Sequence, residues 1–290
     1  MTKSLKAAQP ALDLKSEQLK RLKTLAKELR VWIIRMLAEA GSGHPGGSLS
    51  AIDILTVLYF QVMKHRPQEP EWPLRDRFIL SKGHAVPALY AVLGRSGYFP
   101  IEETLTLRKN NSRFQGHPVR GTVPGVESST GSLGQGLSIA QGLALASKMD
   151  GNLFRVFCML GDGETQEGQI WETAMSAPKF GLDNLIVFLD YNKSQIDGTT
   201  KEVMDLEPIA DKWNAFNWHV QEIDGHNFEQ ILGALDKTRA MAGKPHLIIA
   251  HTVKGKGVSF MENKIEWHGK APTAAEAEQA ILEIERHPTE

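Results

Sequence analysis

Cysteine is nearly absent. The single thiol, Cys158, rules out an internal disulfide framework and fits a reducing compartment. Its apolar neighbours mark it as a small core residue rather than a reactive group. Charge bias is absent as well: 33 Lys and Arg face 34 Asp and Glu, a formal net charge of −1. Nothing therefore draws the chain to nucleic acid or to an anionic membrane. No apolar run approaches the roughly 18 residues of a membrane span. Residues 1–17 hold no apolar segment long enough for a secretory signal. The expected location is the cytoplasm. Repeats, low-complexity tracts and internal linkers are also missing, so residues 1–290 are expected to form a single domain.

What is present is a strand pattern leading into glycine. Residues 153–160, LFRVFCML, are almost wholly apolar, as in a strand buried on both faces of a parallel sheet. They run into Gly161-Asp162-Gly163, where glycine lets the backbone turn sharply and approach a ligand. A helix is expected from Glu167 to Lys179, then a second buried strand from Asn184 to Asp190, ending at Tyr191-Asn192. This order sets Asp162 and Asn192 side by side at the carboxyl ends of neighbouring strands, where open α/β sheets bind ligands. A carboxylate, an amide oxygen and a nearby main-chain carbonyl are hard donors suited to Mg²⁺ that also holds phosphate. GDG alone is a common turn; the strands and the Asn give it weight.

The rest alternates between helical and strand patterns. Helices are expected at 15–39, 48–63, 85–94, 134–149, 227–242 and 273–286, and strands at 77–80, 218–223 and 246–252. Loops cover 64–76, 108–133 and 254–271. Strands separated by helices imply right-handed crossovers and a parallel α/β sheet with helices on both faces. Among ten histidines, His44, His84, His117 and His268 stand in Gly-flanked motifs. Histidine titrates near neutrality and can donate, accept or shuttle a proton. His65, His219, His246, His251 and His287 lack such a setting and read as structural.

The segments GSGHPGG (41–47), SKGHA (81–85), FQGHP (114–118), TGSLGQG (130–136), GDGETQEGQIWE (161–172), IDGH (223–226), KGKG (254–257) and EWHGK (266–270) resemble transketolase, in order. The resemblance implies the thiamine diphosphate fold, thiamine diphosphate as cofactor, and Mg²⁺, with Ca²⁺ or Mn²⁺ as substitutes. It implies Asp162, Asn192 and the main-chain oxygen of Ser194 as metal ligands. Gly163 would lie close to the diphosphate and Gly131, Ser132 and Leu133 along the cofactor. Lys254 would stand near the diphosphate, with Lys82 in support. His84 and His268 would approach the diphosphate and reacting centre, and His44 and His117 the first two oxygens of a donor ketose. His44 and His268 would also move protons. Glu167 reads either as favourable charge at a helix N-terminus or, by resemblance, as part of a dimer-interface network joining two active sites. His226 matches a family motif without a chemical role.

Tyr191 stands where many members carry an amide, and Gly46-Gly47 replaces more varied residues; neither removes a ligand. The resemblance covers only the diphosphate-binding domain. The glutamate that activates the aminopyrimidine, its aromatic platform and the sugar-phosphate arginines belong to a part of the family absent here. The expectation is an N-terminal subunit of a split transketolase, moving a two-carbon ketol unit from ketose to aldose, active with a separate C-terminal subunit in a 2:2 heterotetramer. A shortened chain is the alternative to a natural subunit. A 1-deoxyxylulose-phosphate or dihydroxyacetone synthase and a non-catalytic cofactor-binding scaffold are the competing functions. A nucleotide-binding oxidoreductase lacks its GxGxxG after the first strand.

Overall fold

A computed structural model describes residues 11–152 and 154–286. Leu153 and His287 lie outside the described residues, as does most of the segment read for a secretory signal. Helix α1 spans Ala11–Ala40, α2 Pro45–Val57 and α3 Val86–Ser96. Further along are α4 (Gln135–Met149), α5 (Gly168–Lys179), α6 (Thr200–Val203), α7 (Ile209–Ala215), α8 (Phe228–Ala240) and α9 (Ala274–Arg286). The strands are β1 (Arg77–Leu80), β2 (Val156–Gly161), β3 (Leu185–Tyr191), β4 (His219–Asp224) and β5 (His246–His251). They form one parallel sheet in the order β1-β2-β3-β5-β4.

Alternate residues of each strand enter opposite cores, as a period of two demands. Phe157, Met159, Ile186, Phe188 and Ile248 pack with α1, α2, α3 and α8. Val156, Cys158, Leu160, Val187 and Ile249 pack with α4, α5 and α7. The central strands are therefore apolar throughout, with helices on both faces. Burial pushes the Cys158 thiol well up. β4 is one of the two edge strands and is half polar, with Glu222 exposed, as suits an unpaired edge.

Several boundaries differ from expectation. α2 begins at Pro45, because proline suits the first helical position, and closes in a π-helical turn at Leu58–Val62. α6 and α7 lie where the sequence pattern predicts no element. α6 opens on a capping box in which Thr199 and Glu202 bond each other's backbone N–H. Glu167 is not in the first helical turn. A 3₁₀ turn at Gly163–Gln166 intervenes, and Glu167 becomes the residue that precedes α5.

One edge feature carries a pH dependence. His246 in β5 pairs in register with His219 in β4, their rings 5.3 Å apart. His246 is fully buried, and burial lowers it from the ordinary value of 6.5 to about 4. The unfolded chain takes this proton near pH 6.5, the folded chain only near 4. Stability tied to the neutral ring is complete above pH 6.5 and is lost as pH falls towards 4. His246→Leu is expected to flatten that acid limb by about 2–3 kcal/mol. Denaturant titrations at pH 7, 5.5 and 4.5 check it; equal acid slopes in both proteins refute the assignment.

Candidate active site

Four strand ends converge on one cleft of about 220 Å³. After β1 the chain delivers Lys82 and His84, after β2 Asp162 and Gly163, after β3 Asn192 and Ser194, after β5 Lys254. All seven line the cleft, together with Gly47, Leu133, Glu167 and His268. Gly131, Ser132, His44 and His117 do not line it. Gly131 instead lies against His117, where an added Cβ would stand 3.3 Å from the ring.

The acidic half of the cleft is held by backbone donors. Asp162 Oδ1 accepts from Gly163 N–H at 2.7 Å, and its Oδ2 accepts from Lys193 N–H. Asn192 donates its Nδ2 to Asp190 Oδ2 at 3.3 Å, which leaves Oδ1 beside Ser194 N–H at 3.2 Å. Burial, then the nearby Asp190 charge, push the Asp162 carboxyl up to about 7. Among the described residues no three His, Cys, Asp or Glu side chains gather as a metal set. The available donors are one carboxylate, one amide oxygen and a main-chain oxygen. Such all-oxygen sets suit Mg²⁺ completed by phosphate and water.

The basic half lies opposite. Lys82 is 1% exposed and forms an ion pair with fully buried Asp190. Lys82 Nζ also donates to Gly47 O at 2.9 Å, while Ser50 Oγ donates to Asp190 Oδ2 at 2.6 Å. Lys254 is likewise 1% exposed; its Nζ lies 3.3 Å from Ser194 O and 2.8 Å from His268 Nδ1. Burial lowers its amine to about 8. Two lysines facing one cavity favour an anion.

His44 sits at the centre of a histidine cluster. Its ring centroid lies 5.2 Å from His84, 5.7 Å from His268 and 6.3 Å from His117. Burial lowers His44 to about 4 and His268 to about 3. It also lowers His84 strongly and His117 less, with Lys82 and Arg108 adding repulsion respectively. The half-buried imidazoles of His44, His84 and His268 are therefore neutral at pH 7 and free to accept or relay a proton, while His117 is exposed.

Sequence reasoning missed Glu164 and Asp190. Glu164 is 2% exposed. It accepts from Ser81 Oγ, from Gly134 N–H at 2.9 Å and from Gly161 N–H at 3.0 Å, tying three loops together. Gly134 has φ +86°, and a Cβ there would stand 2.9 Å from Glu167 Cβ, so only glycine fits. Glu167 itself is exposed at the rim.

Residues 22–289 match the family described as "Transketolase, thiamine diphosphate binding domain". The chain belongs to that family. It is a transketolase-type, thiamine diphosphate-binding N-terminal chain. It is 48% identical to the 6-deoxy-6-sulfo-D-fructose transketolase subunit SqwG of Clostridium sp. (strain MSTE9), over 93% of this chain and 98% of the relative. It is 43% identical to one of the subunits of the apulose-4-phosphate transketolase of Phocaeicola vulgatus, over 92% of this chain and 95% of the relative. The solved transketolase from Leishmania mexicana matches with a TM-score of 0.87 at 31% identity, over 93% of this chain but 42% of that one.

Proposed function

We propose that this chain is the N-terminal subunit of a split, thiamine diphosphate-dependent transketolase that reversibly transfers a two-carbon ketol unit from a ketose to an aldose. The observation that carries the reading is the cleft where an all-oxygen donor set faces two buried lysines, His84 and His268, with His44 and His117 joined to them by ring contacts. Residues 1–290 would act as one diphosphate-binding unit, in the cytoplasm. Asp162, Asn192 and Ser194 O would hold Mg²⁺. Gly163, Leu133, His84 and Lys254 would hold the diphosphate, with Gly131 and Ser132 further along the cofactor. When bound, the cofactor supplies the carbanion that attacks the donor carbonyl.

The protein's own part is binding and proton handling. Central His44 and exposed His117 would hydrogen-bond the donor hydroxyls. His268, held by Lys254, and central His44 are placed to pass protons as the donor cleaves and the acceptor adds. Four clustered neutral histidines argue against a mere scaffold, which needs no proton relay.

A partner chain is needed in this reading, since no residue here is assigned to activate the aminopyrimidine or to stack on it. The exposed apolar residues Ile139 on α4 and Met175 on α5 support a two-fold self-contact near Glu167, and so a 2:2 assembly. Ketol transfer by the purified chain with saturating cofactor and Mg²⁺ is expected to be undetectable and to appear on adding a C-terminal transketolase subunit. Light scattering should then give two copies of each. Turnover by the isolated chain sinks the two-chain reading.

A further inference from the structure

His226 is the one motif histidine left without work in the cleft, yet it is among the most firmly held. It follows β4 in Gly225-His226-Asn227, and its ring is pinned at both nitrogens. Nδ1 lies 2.7 Å from Asp53 Oδ2, and Nε2 accepts from Val253 N–H at 2.9 Å. A main-chain N–H can only donate, so Nε2 is the unprotonated nitrogen and Nδ1 carries the hydrogen given to Asp53. Asp53 lies in α2, 3% exposed, and receives both Arg30 terminal nitrogens, at 2.8 and 2.5 Å. Burial alone would raise this carboxyl. The Arg30 charge and the His226 hydrogen bond outweigh it and hold it down to about 2.

The same network reaches the far side of the Lys254 loop. Arg30 Nε donates to Lys256 O at 3.2 Å, and Gly255 N–H donates to Gly46 O at 3.0 Å. Gly46 is the second residue of α2, and a Cβ there would stand 2.8 Å from Lys254 Cγ. The backbone is thus fastened one residue before Lys254, one after and two after. Every fastening leads to α1 or α2, except that His226 joins from the β4 end.

We infer that His226 is a positioning residue: as the Nδ1–H tautomer locked by Arg30 and Asp53, it holds Val253 and so sets Lys254 at the mouth of the diphosphate cleft. The inference rests on the reading of Lys254 as a diphosphate ligand. Glutamine carries an amide donor and acceptor at nearly the spacing of the two ring nitrogens, so it can make both bonds. Leucine fills the volume and makes neither.

The test uses the full chain with Mg²⁺ and inorganic pyrophosphate as the probe, in calorimetry, together with amide hydrogen exchange at residues 252–257. His226→Leu is expected to speed exchange at Val253 by about tenfold or more, with β3 and β5 unchanged, and to weaken pyrophosphate about tenfold. His226→Gln should restore both to within about threefold. A folded leucine variant with wild-type Val253 exchange overturns the inference. So does a lower melting temperature with unchanged pyrophosphate affinity per folded molecule. If the leucine variant does not fold, nitrogen-15 shifts of His226 in the wild-type protein decide, and an Nε2-protonated ring refutes it. A wild-type chain that binds neither pyrophosphate nor thiamine diphosphate counts against the cofactor reading, while the exchange result still judges His226.

Discussion

Asp162→Ala is expected to abolish Mg²⁺-dependent binding of thiamine diphosphate. In the proposed Mg²⁺ donor set Asp162 is the only carboxylate, and Asn192 and Ser194 O are neutral. Removing groups that merely orient a metal ligand costs on the order of 10–100-fold in affinity, so removing the charged ligand should cost more than about 100-fold. Asp162→Asn makes the test sharper. It keeps the shape and the bond from one neighbouring N–H, yet loses the charge, and should fail almost as completely. Calorimetry on the assembled two-chain enzyme, with and without Mg²⁺, reads the outcome. Wild-type cofactor affinity in either variant would show that the metal sits elsewhere.

Lys82→Met should have the largest effect on stability. Lys82 and Asp190 are both buried, and the carboxylate also takes hydrogen bonds from Ser50 and Thr252. Burial would raise the Asp190 acid, but Lys82 reverses that and lowers it. Methionine fills the space and leaves a buried charge without its partner. Breaking one side of such a pair costs about 3–5 kcal/mol, a fall of roughly 10 °C in Tm for a chain of this size. Adding Asp190→Asn to Lys82→Met removes the stranded charge and should recover most of the loss. Thermal unfolding by circular dichroism distinguishes the cases. If the double variant melts no higher than the single, the stranded charge is not what destabilises it.

Much of this was legible in the chain. β1 was readable as Arg77–Leu80, and α5 to its last residue, because a buried strand is apolar throughout and an amphipathic helix repeats every three to four residues. The adjacency of Asp162 and Asn192 followed from strand order alone. Glu164 was not legible. It is one of two acids close behind the GDG turn, and only the 3₁₀ turn sends it inwards while Glu167 goes to the rim. The network of Arg30, Asp53 and His226 was equally hidden, since Asp53 and His226 lie 173 residues apart and pair only through the crossover of α2 over the sheet. Thr199 and Glu202 did carry the spacing of a capping box, a local signal for α6.

The strand order has a consequence for how the protein comes into being. β2 and β3 are neighbours in both sequence and space, so Asp162 and Asn192 can meet as soon as residues up to about 192 have been made. Lys254 cannot join them then. Its strand, β5, is synthesised last yet must settle between β3 and β4, both already present. Pairings that bridge long stretches of chain form slowly, because the loop entropy is lost before the contacts are gained. A nascent chain can thus own Asp162 and Asn192, the proposed metal donors, while still lacking the lysine that faces them. Insertion of β5 between β3 and β4 is what brings Lys254 opposite Asp162 and Asn192 and completes the proposed cofactor cleft.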